Sequence, residues 1–358
     1  RYIRRQRQMC IRDRNNIHIP SNIDNLSQIL EDGLILCNES GLIISSNDVA
    51  RQFLNKKLNS RNIYEFIEIA EFKNLEESNQ KNNLNEEFHF QTSDILKRSL
   101  IIKVKKIEDN LFAILLLDMT SQRNLEKVRR DFVANVSHEL RSPLTSLVGF
   151  IETLLSGNVQ DEETRNKFLK IMDEESKRMN RLIDDILSLS KVETEEHITP
   201  NTTISLIDPI KHIISSINEK RLKEDNKILI DDLRDDPEIN CFISGNIDEI
   251  NQVFVNLLEN AIKYGFDNTN VIVRIEQLKN KEIKVSVINN GEGIPDKYIE
   301  RLTERFFRVD KARSRKIGGT GLGLAIVKHI LIKHRAQLSI NSIPNQETNF
   351  SITFPIIN

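Results

Sequence analysis

Cysteine is scarce: Cys10, Cys37 and Cys241 are the only three in 358 residues, with no CxxC spacing and an odd count. That excludes a disulfide framework and a cysteine-built zinc site, and fits a reducing compartment. Long apolar runs are missing too. The longest near the middle, Leu111 to Leu117, falls far short of the ~20 apolar residues that span a membrane. There is no basic excess either: 51 Lys plus Arg stand against 53 Asp plus Glu, a net charge of -2, which argues against nucleic acid as a partner. What remains, 39% hydrophobic and 29% charged residues, is ordinary for a globular chain long enough for two or three domains. The chain opens on Arg1 rather than Met, so it reads as a fragment, a cytoplasmic portion whose missing upstream sequence would hold any membrane segment.

Residues 1–20 stand apart. Arg1–Arg14, RYIRRQRQMCIRDR, carries six arginines and one acid. It reads as a basic patch for anionic lipid, as a solvated tail, or as an artefact, since RQRQMCIRD resembles translated sequencing-adapter runs. The last reading is preferred, and the tail is set aside from the fold as artefactual or disordered.

Residues 24–120 form a mixed unit. LILCNESGLIISSN (Leu34–Asn47) is two apolar runs around a turn, a polar helix-prone stretch follows from Asp48 to Asn83, and Glu87–Thr92, Ser99–Ile107 and Leu111–Asp118 read as antiparallel strands. This order resembles a PAS sensor domain, with LLLDMT as its last strand entering a signalling helix. Within it, Cys37 reads as a buried apolar residue. The alternation Phe88-His89-Phe90 makes His89 a solvent-facing strand residue rather than a haem ligand.

Residues 121–195 switch to helical period. Leu125, Val128, Phe132, Val136, Leu140, Leu144, Leu147, Ile151 and Leu154 recur at spacings of three and four. After the break Gly157–Glu163, a second stripe runs from Phe168 through Ile171, Met179, Leu182 and Ile186 to Leu189. Two amphipathic helices make an antiparallel hairpin. A hairpin alone buries little of its stripe, so a homodimeric four-helix bundle is expected. Residues 202–358 alternate strands (ISLID, KILID, Val271–Leu278, Glu282–Ile288 and two closing strands) with helices at Pro209–Asp225, Ile247–Tyr264 and Gly321–His334. That predicts an α/β sandwich with helices on one face of a mixed sheet. The chain is thus a multidomain α+β protein.

Four constellations carry chemistry. In DFVANVSHELRSPLTSLVGF (Asp131–Phe150), His138 lies ~240° around the helix from Phe132, away from the apolar stripe. A neutral imidazole there offers a lone pair as nucleophile. Glu139 is adjacent and suits orientation of the ring or acceptance of its proton, and Ser142 sits four residues on with a hydroxyl on the same face. Pro143 is expected to bend the helix beside them. A lone surface His would read as nothing more, but FVANVSHELRSPL resembles the phosphoacceptor box of bacterial sensor histidine kinases. The family most often has Thr where Ser142 stands, at the position tied to dephosphorylation of the partner.

In NQVFVNLLENAIKYG (Asn251–Gly265), Asn256 and Asn260 leave one helix face together, and amide carbonyl oxygens suit Mg²⁺. Lys263 adds a cation for phosphate, and Tyr264 a ring near the nucleotide. By themselves these are also the polar face of a core helix. With the strings that follow, they resemble the N box of the GHKL ATP-binding fold, whose ATP-hydrolysing relatives carry a water-activating Glu at the position of Asn256. In VINNGEGIP (Val287–Pro295), Gly291 and Gly293 allow a tight turn beside a purine, with Ile294 following. Asn289 stands where most relatives have Asp, and keeps an acceptor oxygen without the charge. In TERFFRVDKARSRKIGGTGLGLAIVKHI (Thr303–Ile330), Gly319, Thr320, Gly321, Leu322 and Gly323 precede a helix whose free N–H groups face phosphates. Arg308, Lys311, Arg313 and Arg315 supply cations, and the resemblance makes Phe306 and Phe307 the F box that packs the lid on the acceptor helix. The full run is most similar to the PhoR subgroup. The family's last glycine motif is replaced by Asn345-Gln346-Glu347.

The resemblance implies ATP and Mg²⁺, the metal on Asn260 and Asn256, phosphoryl transfer from ATP to His138, and relay to an Asp of a PhoB-type response regulator in phosphate-type signalling. It also implies a full-length protein anchored in the bacterial inner membrane. Two rivals stand beside it: a non-kinase GHKL ATPase, opposed by the acceptor box and the absent Glu, and a scaffold that binds regulators without phosphohistidine, supported by Asn289.

Overall fold

The computed structural model describes residues 30–54, 58, 61–66, 86–92, 97–108, 110–157, 159–221, 227–236, 241–279, 281–310 and 319–357. Two compact units divide the chain, Arg1–Asp131 and Phe132–Asn358. The tail 1–20, and most of the helix-prone stretch after residue 54, lie outside the described residues.

In the first unit, β1 (Gly33–Cys37) and β2 (Ile43–Ser46) form the expected hairpin. A short helix α1 (Asp48–Leu54) follows. Its start is fixed by Asn47, whose side-chain oxygen accepts from the Ala50 and Leu34 N–H groups. β3 (Glu86–Gln91), β4 (Ser99–Glu108) and β5 (Leu111–Asp118) complete an antiparallel sheet in the order β2-β1-β5-β4-β3. Period-two patterning explains the burial: Leu100, Ile102 and Val104 point inward while Lys103 and Lys105 face water. Ile102 and Val104 join Ile35, Cys37, Phe112, Ile114 and Leu116 in one core. Burial pushes the Cys37 thiol up to about 12, which makes it inert as a nucleophile. His89 is exposed, as expected, and its Nδ1 lies 2.6 Å from Arg123 Nη2.

The hairpin consists of α2 (Thr120–Leu155) and α3 (Glu162–Glu195). α2 is helical through Pro143. Asp161 caps α3 by accepting from the Thr164 N–H, which holds its carboxyl below the ordinary value. The α/β part adds β6 (Thr203–Ser205), α4 (Ile207–Lys220), β7 (Ile228–Asp232), β8 (Phe242–Ser244), α5 (Ile247–Tyr264), β9 (Val271–Leu278) and β10 (Glu282–Asn290). A short α6 (Asp296–Ile299), then α7 (Gly323–Lys333), β11 (Gln337–Ile343) and β12 (Glu347–Pro355) close it. The mixed sheet runs β11-β12-β10-β9-β7, with only β7 and β9 parallel, while β6 and β8 pair separately.

One expected strand is corrected. Of ISLID, only Ile204 and Ser205 are extended; Ile207 and Asp208 begin α4. Pro209 falls in the first turn, where its missing N–H has no intrahelical partner to lose. The core joins Ile210, Phe254, Leu257, Ile326 and Ile330 from the helices to Val273, Val285, Ile352 and Phe354 from the sheet. Leu182, Leu189 and Val192 of α3 belong to the same cluster.

Candidate active site

A cavity of about 390 Å³ opens where α5, the end of β10, the segment 302–310 and the start of α7 meet. Asn256, Asn260, Lys263 and Tyr264 line it from α5; their i, i+3 and i+4 spacing brings them to one face, with Val253, Leu257 and Ala261 buried behind. Asn289, Gly293 and Ile294 line it from β10 and the turn beyond, and Arg308, Gly319, Thr320, Gly321 and Gly323 from the remaining wall. Lys311, Arg313 and Arg315 lie outside the described residues.

Two residues expected to bind nucleotide, Gly291 and Leu322, are not among those that line the cavity. Gly291 lets the chain pass α5: a Cβ there would lie 2.3 Å from the Tyr264 carbonyl oxygen. Leu322 is buried in the core as the residue before α7. No side chain caps that helix, so its first N–H groups are free for anionic ligand oxygens. Gly293 and Gly321 adopt φ of +70° and +76°. A side chain at Gly293 would strike the Ile343 carbonyl at 2.6 Å. Asn345, at φ +59°, takes the left-handed turn position where the family's glycine motif is missing, a conformation Asn tolerates. Phe306 is also left-handed at +62°, a rare state for an aromatic residue, and its N–H donates to the Gly321 carbonyl at 2.8 Å. Its ring lies 5.8 Å from Phe132 of α2, as the F-box resemblance implies.

The hairpin also enters the cavity wall, an approach that no sequence pattern announces. Arg181, Asp184 and Asp185 of α3 line it, as do Glu259 and Glu292. Thr320 donates to Asp185 at 2.6 Å. Burial pushes the Asp185 carboxyl up, against the pull of the Thr320 hydroxyl, with Glu259 adding to the rise. Lys263 pairs with Glu259 at 2.9 Å. The hairpin and the α/β part are further joined by Arg305 to Glu193 and by Lys333, which reaches Glu195 at 2.8 Å and Glu249 at 2.7 Å. Burial opposes the Lys333 charge, but the two carboxylates outweigh it and raise its pKa. Neutral His334, its pKa lowered by burial, accepts from the Asn246 N–H through Nε2.

His138 is exposed on α2, and so is Ser142 one turn later. Glu139 is turned inward. Its Oε2 accepts from Arg178 of α3 at 3.2 Å and from Arg308 at 3.3 Å. Arg308 is therefore both a wall of the cavity and a partner of the residue beside His138. For a metal, the donor set fits Mg²⁺: Asn256 and Asn260 offer hard amide oxygens, Asn256 using its N–H on the Gly323 carbonyl at 3.4 Å. Among the described residues no group of three or more His, Cys, Asp or Glu side chains could hold a metal ion.

A cavity of this size on an α/β sandwich, walled partly by a hairpin that presents an exposed histidine, has the layout of a nucleotide-using enzyme. Comparison with known proteins agrees. Residues 245–358 match the family described as histidine kinase-, DNA gyrase B-, and HSP90-like ATPase, and residues 128–195 match the His Kinase A (phospho-acceptor) domain. Sensor protein kinase WalK of Staphylococcus aureus is 36% identical over 347 residues, covering 93% of this chain and 80% of that protein. The same-named protein of strain JH9 is also 36% identical, but the chain spans only 55% of its length. Among solved structures, histidine kinase ThkA, in complex with response regulator protein TrrA, shares the fold: TM-score 0.51 at 22% identity, over 92% of this chain and 96% of that one. The chain belongs to the sensor histidine kinases, and it carries both parts a protein-histidine kinase requires.

Proposed function

We propose that this protein phosphorylates His138 from ATP and passes the phosphoryl group to an Asp of a response regulator. The observation that carries the reading is Arg308, which lines the nucleotide cavity and pairs with Glu139 next to the acceptor histidine. Buried Asn289 accepts from the purine through its amide oxygen, while the uncapped start of α7 and Thr320 receive the phosphates. Asn260 and Asn256 would hold Mg²⁺, which neutralises phosphate charge when bound. Lys263 and Arg308 serve the γ-phosphate side.

In the transfer, the unprotonated ring nitrogen of His138 attacks the γ-phosphorus. The bond to the bridging oxygen breaks, its electron pair leaves on ADP, and the proton on the other ring nitrogen passes to Glu139. Such a step needs in-line placement and charge neutralisation more than covalent help. The P–N bond is labile, so the group moves on to a regulator carboxylate. The Ser142 hydroxyl, one turn from His138, supports slow return of the regulator to its unphosphorylated state, and Ser142→Ala is expected to slow that return further.

The finer readings rest on resemblance. The antiparallel order β2-β1-β5-β4-β3 supports a PAS-like sensor in the first unit. Exposed apolar positions along α2 and α3 support a homodimeric bundle. The PhoR resemblance points to a PhoB-type regulator and phosphate signalling, whereas the matched relatives are named WalK. Membrane anchoring would come from sequence beyond this chain, since no helix among the described residues is long and apolar enough to cross a membrane. Incubation with γ-labelled ATP, followed by a panel of purified regulators, tests the whole reading. Acid-labile label that moves to a regulator supports it; hydrolysis without labelling sinks it.

A further inference from the structure

We propose that Arg178 is a positioning residue for the phosphoryl-transfer step, holding Glu139 as an oriented carboxylate beside His138. The inference rests on the assignment of Glu139 as the acceptor of the histidine proton.

Two guanidinium groups share one oxygen of Glu139. Arg178 Nη2 donates to Oε2 at 3.2 Å, and Arg308 Nη2 donates to the same atom at 3.3 Å. The three side chains are largely withdrawn from water, with exposures of 24% for Glu139, 15% for Arg178 and 5% for Arg308, so the pairings are weakly screened. The cations differ in origin. Arg178 stands on α3 of the hairpin that carries His138, so its hold is intrinsic to the acceptor. Arg308 belongs to the nucleotide-binding part and lines the cavity, and its Nε is buried with no hydrogen-bond partner. A guanidinium with one donor unused, and another on an oxygen already taken, is the one poised to turn to a phosphate.

When Arg308 does so, Glu139 keeps a single cation, Arg178. The departure of one donor frees acceptor capacity on the carboxylate for the histidine proton, while the remaining bond keeps it oriented. Behind Arg178, Glu175 Oε2 lies 3.7 Å from Nη1, an ion pair one turn away on the same helix without a hydrogen bond. Among the described residues, Arg178 and Arg308 are the charged groups paired with Glu139 from the elements packed against it, and His138 is its titratable neighbour on α2. Without Arg178, the carboxylate loses its fixed direction as Arg308 departs.

The test is a double-mutant cycle on the full chain, read by the initial rate of γ-labelled ATP incorporation. Arg178→Ala is expected to lower kcat about tenfold with KM for ATP within about twofold. Arg178→Lys keeps the charge and is expected to restore part of the rate. In a Glu139→Gln background, Arg178→Ala is expected to cost nothing more. An equal loss in both backgrounds, or a loss that falls on KM with no rescue by Lys, overturns the proposal as a merely structural effect. So does an unchanged rate for Arg178→Ala. If Glu139→Gln alone keeps the parent rate, the proton assignment fails instead, whatever Arg178 does.

Discussion

The α/β part and the helix hairpin treat their apolar residues in opposite ways. Phe254, Val285, Ile326 and Phe354 are sealed within one core, where helix and sheet residues of the same chain pack together. Along α2 and α3, by contrast, Val133, Leu144, Val148, Ile151, Leu169 and Leu187 remain exposed. Scattered exposed apolar residues are normal, but a series at helical spacing is a face waiting for a counterpart. The α/β part thus draws its stability from its own core, which also takes in Leu182, Leu189 and Val192 of α3, whereas the exposed face of the hairpin is proposed to be completed by another hairpin.

Breaking the closed side produces the largest effect. Phe254→Ala should cost roughly 3–5 kcal/mol, because a large cavity opens in a core that cannot collapse around it; urea unfolding of the α/β transition reads it. Next comes Asp232→Asn. Arg234 is 1% exposed and held by Asp232 at 2.7 Å, so losing the carboxylate charge weakens the hold on a buried cation at a cost of about 2 kcal/mol. The Arg234 hydrogen bonds hold the Asp232 carboxyl below its ordinary value. Its contribution is therefore full above the ordinary carboxylate pKa and is lost as pH falls through the lowered one. The gap between parent and variant, followed by unfolding at a series of pH values, should be flat near neutrality and shrink below about pH 4.

On the open side, Val148→Glu should leave the monomer fold intact and weaken self-association about 10- to 100-fold, the affinity equivalent of roughly 1–3 kcal/mol of lost apolar burial. Sedimentation across a concentration series measures it, and an unchanged association constant would remove that face from the dimer seam. Smallest of all, Leu155→Ala should shift stability by less than about 0.5 kcal/mol, since the side chain is 80% exposed.

Local pattern carried much of this architecture. The alternation in SLIIKVKKIE and LFAILLLD placed β4 and β5 nearly to the residue, and the three-and-four spacing from Leu125 to Leu154 placed α2. The cavity wall from α5 was legible because Asn256, Asn260 and Lys263 share a helical face. Other features depend on tertiary approach, which leaves no periodic trace. Arg178 and Arg308 reach Glu139 from 39 and 169 positions away, and Asp185 meets Thr320 across 135. Gly291 and Leu322 show a related ambiguity: a glycine-rich string marks both backbone that faces a ligand and backbone that must pass another chain segment closely.

The central claim is that the exposed ring on α2 is the atom group that receives phosphate. Mapping the modified residue by mass spectrometry under neutral conditions, after incubation with ATP and Mg²⁺, tests it most directly. The account predicts a single phosphorylated site at His138, absent in His138→Gln; phosphate on any other residue, or modification that persists in the variant, would contradict it.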